Sequence, residues 1–597
     1  MTNQTLPRPK QAYRSLMLTS FIAWCLIVGV YIVTQWETLL TLQLVGNDDY
    51  MRYLQFTTWL ESGRWHLTPI ESFNPNAGQL IHWSRLPDIP LALLYLLSSL
   101  FTDKETAQAI AVAITPLCYL LVLLIAVGVF TVRIANADAA KLAILFTLLS
   151  PLLNKFLPGA IDHHNIQLML FALFLAALPI KPKELLSKTR AFIQGGIIAL
   201  SFWVGMENLL AFAFSLLMMS CLGYVQRWRW LQYASFLCLL GAVTAALLML
   251  LNRPATEFFD THYDALSLPY VALLLAGAAF CQLSLRLNRY CYWRHTHRIT
   301  RFIGCATVVL VPVLCLYPAL IGGVYYNYPP LLETYWLDHV SEAKPIWSYI
   351  ERDGILSKRN YLLTLLPLFI GAFFLPRNAL FRALLGLALL LLCLPLLWQI
   401  RTIFTAFVIA LPLQAYICAI ALTQIRFSAL RILVLISCIP LCIMLVAGQL
   451  QQTFLTSDLP QSASSLPANQ SNNYKTELLT RHGIEQQTIL APIEFGAPIL
   501  ALTNNHVFSA PYHRNTTANQ WVIEQFIATD YLAIKQQLFE HDVNYLLLGG
   551  DGASRLMSKE SPPSSFINQL LNQAPFDWLE LIDTSDNGVL LYKIRKE

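Results

Sequence analysis

Gly159-Ala160-Ile161-Asp162-His163-His164-Asn165 is a short polar stretch between two long apolar runs. An acid followed two residues later by an imidazole, at the mouth of a membrane segment, is costly to keep near lipid. Its residue types suggest a reason for being there. Asp162 and His164 pair a hard oxygen with a borderline nitrogen, a set suited to Mn²⁺ or Mg²⁺. Asp162 could also serve simply as a helix cap.

The surroundings support a membrane chain. Of 597 residues, 56% are hydrophobic and 13% charged, against roughly 25% charge in a soluble protein. Apolar runs near the ~20 residues needed to cross a bilayer recur along the chain. The net charge of +5 implies no nucleic-acid partner, because topology accounts for it: Lys and Arg gather in short loops. The 12 cysteines lie nearly all within apolar runs, and none follows Cys442, so neither a disulfide framework nor a CxxC metal motif is expected in the polar C-terminal part.

The first span is expected over about Met17–Leu44. Arg8, Lys10 and Arg14 before it set the N-terminus in the cytoplasm and make it a retained anchor. Counting onward by length gives about thirteen spans. Basic loops, such as Lys181 to Arg190 and Arg286 to Arg301, fall inside. The loops at 46–106 and 326–358 fall outside, the first with an interfacial helix over Leu91–Phe101. The expected division is a membrane catalytic domain over 1–449, a Gln/Ser/Asn-rich linker over 450–474 and an outer α/β domain over 475–597. Strands are expected at Thr488–Ile493, Val543–Leu548 and Gly588–Ile594, with helical patterns over Val522–Phe539 and Ser565–Gln573. No internal repeat is present.

The candidate chemistry collects on the outer face. Asp48 and Asp49 follow the first span; His82, Trp83, Arg85 and Asp88 lie in the same loop. Asp162, His163 and His164 follow the third span. Glu342 lies in the second large loop, and Arg401 ends a later span on that side. Singly, each has an ordinary explanation as a solvated loop acid or a snorkelling base. Together they make a shell for a divalent cation, with an arginine able to hold a phosphate. Glu207, between two short spans, is placed at a cytoplasmic or buried polar spot and given no role.

These motifs resemble the catalytic subunit of single-subunit bacterial and archaeal oligosaccharyltransferases, GT-C class membrane glycosyltransferases that use polyprenyl-phosphate-linked donors. Asn47-Asp48-Asp49-Tyr50 resembles the family's first acidic motif. Gly159-Ala160-Ile161-Asp162-His163-His164 resembles the archaeal form of the second. Val340-Ser341-Glu342-Ala343-Lys344-Pro345 resembles the short glutamate motif of the fifth outer loop. The resemblance implies a GT-C fold with Asp48, Asp162 and His164 on Mn²⁺ or Mg²⁺. It further implies Asp48 and Glu342 in catalysis, and Arg401 with His82 at the donor phosphate. The family reads its asparagine sequon with Trp-Trp-Asp-Tyr-Gly. Here that place holds Ala491-Pro492-Ile493-Glu494-Phe495-Gly496, without the tryptophans. Glu494, His513 and Arg514 are the residues placed to meet an acceptor, whose class stays open among glycan, lipid and protein.

The expected reaction is transfer of a sugar or oligosaccharide from a polyprenyl-linked donor at the outer face of a bacterial inner membrane, with membrane lipids as surroundings. A lipid-linked-sugar transporter would carry ionisable groups and broken helices at the bilayer midplane. A non-catalytic scaffold would not need Asp162 and His164 together.

Overall fold

The computed structural model describes residues 9–290, 298–323, 325, 328–349, 360–455 and 472–596. The chain is a multi-pass membrane protein, mostly helical, with a small sheet near its C-terminus. Seven described helices are long and apolar enough to cross a bilayer, or eight if the bent pair Ser428–Cys438 and Pro440–Leu450 counts as one. The expected loop end (350–358) and most of the expected linker (456–471) lie outside the described residues. The helix Pro440–Leu455 runs into the start of that linker.

Helix α1 (Pro9–Leu40) is followed by α2 (Asn47–Ser62), which carries Asp48 and Asp49 in its first turn, where the helix dipole favours acids. Gly63, left-handed at φ 64°, ends it. Helix α3 (Asp88–Ser98) bears exposed Leu93, Leu96 and Leu97, as an interfacial helix should. Helix α4 (Lys104–Ile134) starts at Asp103, whose carboxylate accepts from the Thr106 amide at 2.8 Å.

The third expected span, over about 142–157, divides in two. Helix α5 (Ala137–Leu148) ends, and Ser150 starts a 3₁₀ turn, Pro151–Phe156, that carries Lys155. Gly159 then adopts φ +83° while its amide bonds the Val112 carbonyl, a conformation open mainly to glycine. This turn delivers Asp162 and His163 to the start of α6 (His164–Ala176).

Helices α7 (Lys188–Val204), α8 (Leu209–Val225), α9 (Arg229–Asn252), α10 (Leu268–Tyr290) and α11 (Arg298–Leu316) follow. The α7–α9 crossing is close because Gly195 faces Gly241: a Cβ on Gly195 would lie 2.5 Å from the Leu237 carbonyl oxygen.

The C-terminal sheet runs in the order β2-β1-β3-β5-β4, from β1 (Thr488–Leu490), β2 (His506–Val507), β3 (Tyr545–Leu548), β4 (Leu579–Thr584) and β5 (Leu590–Ile594). The first three are parallel, and β5 is antiparallel to both its neighbours. β2 and β4 were not expected from the sequence; β2 has only two residues. The helical pattern over Val522–Phe539 is two helices, Thr516–Ile527 and Tyr531–Glu540. Asp530 breaks it by capping the second through the amides of Leu532 and Ala533.

The first outer loop completes the sheet. Val507 donates to Ser72 O at 3.0 Å and accepts from the Asn74 amide at 2.8 Å, so the loop covers the edge of β2. One buried cluster joins Tyr50, Phe56 and Phe73 of the loop to Ile489, Phe495 and Tyr512 of the domain. Gly496 fits this junction for a steric reason. A Cβ there would collide with the Ser509 carbonyl.

Candidate active site

Two polar clusters stand where the loop after α1 meets the helix ends and the C-terminal domain. In the first, Asp162, His163 and His164 bring ligand atoms within 4.8 Å of one another. His164 Nε2 lies 3.3 Å from Asp162 Oδ2 and 3.9 Å from Glu342 Oε1. His163 is held between two carboxylates: Nδ1 contacts Asp162, and Nε2 is 2.7 Å from Glu207 Oε1. With both ring nitrogens so engaged, His163 is a brace, and His164 is the imidazole that remains for a cation.

The two acids of α2 divide their work. Asp49 Oδ1 accepts from the Asp162 amide at 2.7 Å, so Asp49 ties α2 to the turn before α6. Asp48 carries no such bond, and its carboxyl is close enough to Asp162 and Glu342 to feel both charges.

The charge balance follows. Burial, then Asp162 and Glu342, push Asp48 well above the ordinary carboxylate range. Burial and Asp162 raise Asp49 to about 7. Burial opposes ionisation of Asp162, but the adjacent imidazoles of His163 and His164 prevail and hold it well below the usual range. For Glu207 burial is likewise overcome, by His163, giving a value of about 2. Glu342 is held low against burial by its bond to His164 and by Lys155. Burial would discharge His163, yet Asp162 and Glu207 keep it protonated well above the ordinary imidazole value.

The residues fit a divalent ion. Asp48, Asp162 and Glu342 offer hard oxygens and His164 one nitrogen. The upward shift of Asp48 comes first from burial and then from the charges of Asp162 and Glu342, against a smaller opposite pull from His163.

Arg401, on the turn Ile400–Thr402, lines a cleft beside this cluster. The cleft encloses about 470 Å³, part of it open to solvent, and its walls include Lys155, His164, Glu207, Gln399 and Phe404. Arg401 spends Nε on Gln399 Oε1 at 2.9 Å. Lys155 Nζ has a loose 3.8 Å pairing with Glu342 and sits 5.3 Å from the Phe404 ring centre. Two cations therefore face one cleft with N–H groups to spare, an arrangement suited to phosphate.

The second cluster is built on Asp264. His513 Nε2 approaches Asp264 Oδ2 at 2.8 Å, and Arg514 grips both carboxylate oxygens through Nε and Nη2. His82 Nε2 lies 3.6 Å from the same carboxylate, while its Nδ1 meets the Tyr512 hydroxyl, which also accepts from the His82 amide at 2.8 Å. Thus His82, His513 and Arg514 come together, but away from Arg401 and bound to one another. Trp83 stands between the clusters, its ring 5.7 Å from that of His163. Glu494 accepts from Asn47, the neighbour of Asp48, and its backbone oxygen accepts from Lys475 at 2.9 Å.

Sequence reasoning missed Lys155, Glu207 and Asp264. Lys155 had a signal: a lysine at the outer end of a span runs against the inside bias of basic residues. Glu207, given no role from the sequence, is at a buried polar spot. It sits in the first cluster because Gly205 leaves room: a Cβ there would strike the Glu207 carboxylate. Asp264 had none beyond being a loop acid.

No family model matches the sequence, and no curated protein matches it. Solved structures do. The archaeal oligosaccharyltransferase AglB from Archaeoglobus fulgidus, in complex with an inhibitory peptide and a dolichol-phosphate, aligns with a TM-score of 0.68. The alignment covers 96% of this chain and 79% of that one at 14% identity. The fold is shared with archaeal oligosaccharyltransferase. The same A. fulgidus enzyme tethered to an acceptor peptide containing the NVT sequon aligns at 0.66, with 14% identity over 98% of this chain and 74% of that one. Its complex with Zn and sulfate aligns at 0.65, with 14% identity over 97% and 73%.

Proposed function

We propose that this protein is a metal-dependent membrane glycosyltransferase that moves a sugar or oligosaccharide from a polyprenyl phosphate or diphosphate to an acceptor outside the membrane. One observation carries the reading. Asp48, Asp162, His164 and Glu342 lie together beside a cleft that His164, Arg401 and Lys155 line. The shared fold supports it, since the A. fulgidus enzyme was solved with dolichol-phosphate.

Asp48, Asp162 and His164 are the residues that would hold Mn²⁺ or Mg²⁺. Such an ion supplies charge neutralisation at a departing phosphate. Arg401 and Lys155 hold that phosphate from the cleft side, where fixed positive charge is most useful as negative charge develops. His82 is set back in the second cluster, so any contact with the donor phosphate runs through a change in its present bonds to Tyr512 and Asp264. Asp48 and Glu342 flank the attacking group and orient it or take its proton. Glu494, beside Asn47, and the His513/Arg514 pair lie on the domain side, from which an acceptor would enter. The acceptor is a glycan, a lipid or a protein.

The proposed topology has thirteen spans: the seven long helices, the bent pair Ser428–Cys438 and Pro440–Leu450, the shorter α5, α6, α7 and α8, and the segment Asn360–Phe374. It places the N-terminus in the cytoplasm of a bacterial inner membrane and the C-terminal domain in the periplasm. The units are 1–449, 450–474 and 475–597.

The test is a transfer assay with radiolabelled polyprenyl-linked sugars from the source membranes and purified protein. We expect Mn²⁺-dependent release of lipid phosphate by the wild type and none by Asp162→Asn of equal thermal stability. Equal release by both would refute the reading.

A further inference from the structure

We infer that Glu207 and Asn208 form a subsite for the donor sugar, accepting hydrogen bonds from its hydroxyl or amide N–H groups; this rests on the glycosyltransferase reading above. The cleft beside the metal ligands is chemically divided. Lys155 and Arg401 bring positive charge, whereas Glu207, Asn208, Gln399 and Thr405 bring polar groups without it.

Glu207 is out of place as a phosphate contact, since like charges repel at close range. Its oxygens already take His163 Nε2 at 2.7 Å and Gln167 Nε2 at 3.2 Å. Each carboxylate oxygen retains capacity for a further donor.

Asn208 is the independent observation. Its side chain is fully buried. Nδ2 donates to Gln167 O at 2.7 Å, Gln167 Oε1 at 2.8 Å and Ser201 Oγ at 3.2 Å. A backbone carbonyl can only accept, so this fixes which end of the amide is nitrogen. Oδ1 is then a buried acceptor without a hydrogen-bond partner among the described residues, in a residue that lines the cleft. Buried acceptors are costly to leave unpaired.

The chemistry of the donor selects what pairs with them. A lipid phosphodiester is acceptor-only at neutral pH, and an isoprenoid chain has no polar hydrogen. Of the whole donor, only the sugar carries O–H or N–H groups. Two adjacent acceptors beside a phosphate-binding wall therefore point to the sugar next to the phosphate. Trp398 and Phe404, also on the cleft, offer flat apolar surface for its C–H face.

The experiment measures binding of farnesyl phosphate and of farnesyl phosphates bearing N-acetylglucosamine, glucose, galactose or mannose to the full-length protein in detergent with Mn²⁺. We expect at least one glycosylated lipid to bind about tenfold more tightly than the bare one. Glu207→Gln, which keeps the size of the side chain, should remove most of that preference, weakening the glycosylated lipid by a larger factor than the bare one, which it also touches through the Glu207 bond to His163. Asn208→Ala should act in the same direction; because it also deletes the Nδ2 bonds, its melting temperature is measured alongside. If no sugar improves on the bare lipid, or if Glu207→Gln weakens bare and glycosylated lipids equally, the subsite is refuted. If farnesyl phosphate itself does not bind, the glycosyltransferase reading fails first and this inference with it.

Discussion

The two polar clusters use the same residue types to opposite ends. Around Asp162, the acids Asp48, Asp49, Glu207 and Glu342 gather in one place, and burial together with the charge of Asp162 raises Asp48 and Asp49. Around Asp264, a single carboxylate is gripped by Arg514 and His513, with His82 beside it. Asp264 is accordingly held far below the usual carboxylate range: burial opposes this, but its bonds to His513 and Arg514 prevail. The first cluster is short of positive charge and suited to receive a cation. The second is neutralised from within and fastens the C-terminal domain to the loop Glu257 to Asp264. Both bring His and Asp atoms close enough together to share an ion; the cations around the carboxylate are what separate a site from a clamp.

The largest expected effect falls on the first cluster. Outer partners of a metal cost roughly 10–100-fold in affinity when lost, so Asp162→Asn should lower Mn²⁺ affinity by at least about a hundredfold and reduce transfer to background. Asp49→Asn, which removes a brace and not a ligand, should fall within that 10–100-fold range. Parity of the two variants in a titration would erase the distinction drawn between Asp162 as ligand and Asp49 as brace.

Asp264→Asn should leave Mn²⁺ affinity alone. It leaves Arg514 partly buried without its partner, and breaking such a pair costs roughly 2–5 kcal/mol. Hydrogen exchange should show that loss in Thr488–Leu490 and Tyr512–Asn515. A loss of metal binding instead would merge the two clusters into one site.

Gly496→Ala tests the junction between domain and loop. Overpacking costs typically about 1–3 kcal/mol, so the melting temperature should drop, with Mn²⁺ affinity retained once folded. An unchanged melting temperature would mean that the helix Ile493–Leu502 and the Ser509 segment are not in the close contact described.

The smallest effect is on pH. Burial, aided by Arg253 and Arg514, lowers His262 to about 4, and burial puts His82 well below its ordinary value against the pull of Asp264, with Arg514 and His513 acting in the same direction as burial. Both are neutral when the domain is docked and bind protons near pH 6.5 when released. The released state therefore takes up more protons as pH falls, and docking, complete above pH 6.5, weakens progressively toward pH 4. Limited proteolysis of the 450–474 segment across that range should report it, and His262→Asn should flatten the profile.

Much of this was legible in the sequence. Spans follow from apolar length, and the strands Tyr545–Leu548 and Leu590–Ile594 from short apolar runs bounded by turns. Asp162, His164, Glu342 and Arg401 stand out because charge beside an apolar run demands a reason, and the fold brings them near one another. What escaped was pairing across long sequence separations. Nothing local ties Asp264 to His513, 249 residues away, or Glu207 to His163, 44 residues away. His82 looked like a free imidazole for the donor because its bond to Tyr512 spans 430 residues. Helix interruptions also escaped when one side chain made them, as Asp530 and Ser150 do.

The most direct test of the central claim is a calorimetric titration of Mn²⁺ into the purified protein in detergent, with polyprenyl phosphate present, for the wild type and for Asp162→Asn/His164→Ala. The account predicts one saturable site in the wild type and none in the double variant. Heat of binding that is absent from both, or the same in both, would contradict a metal centre at Asp48, Asp162 and His164.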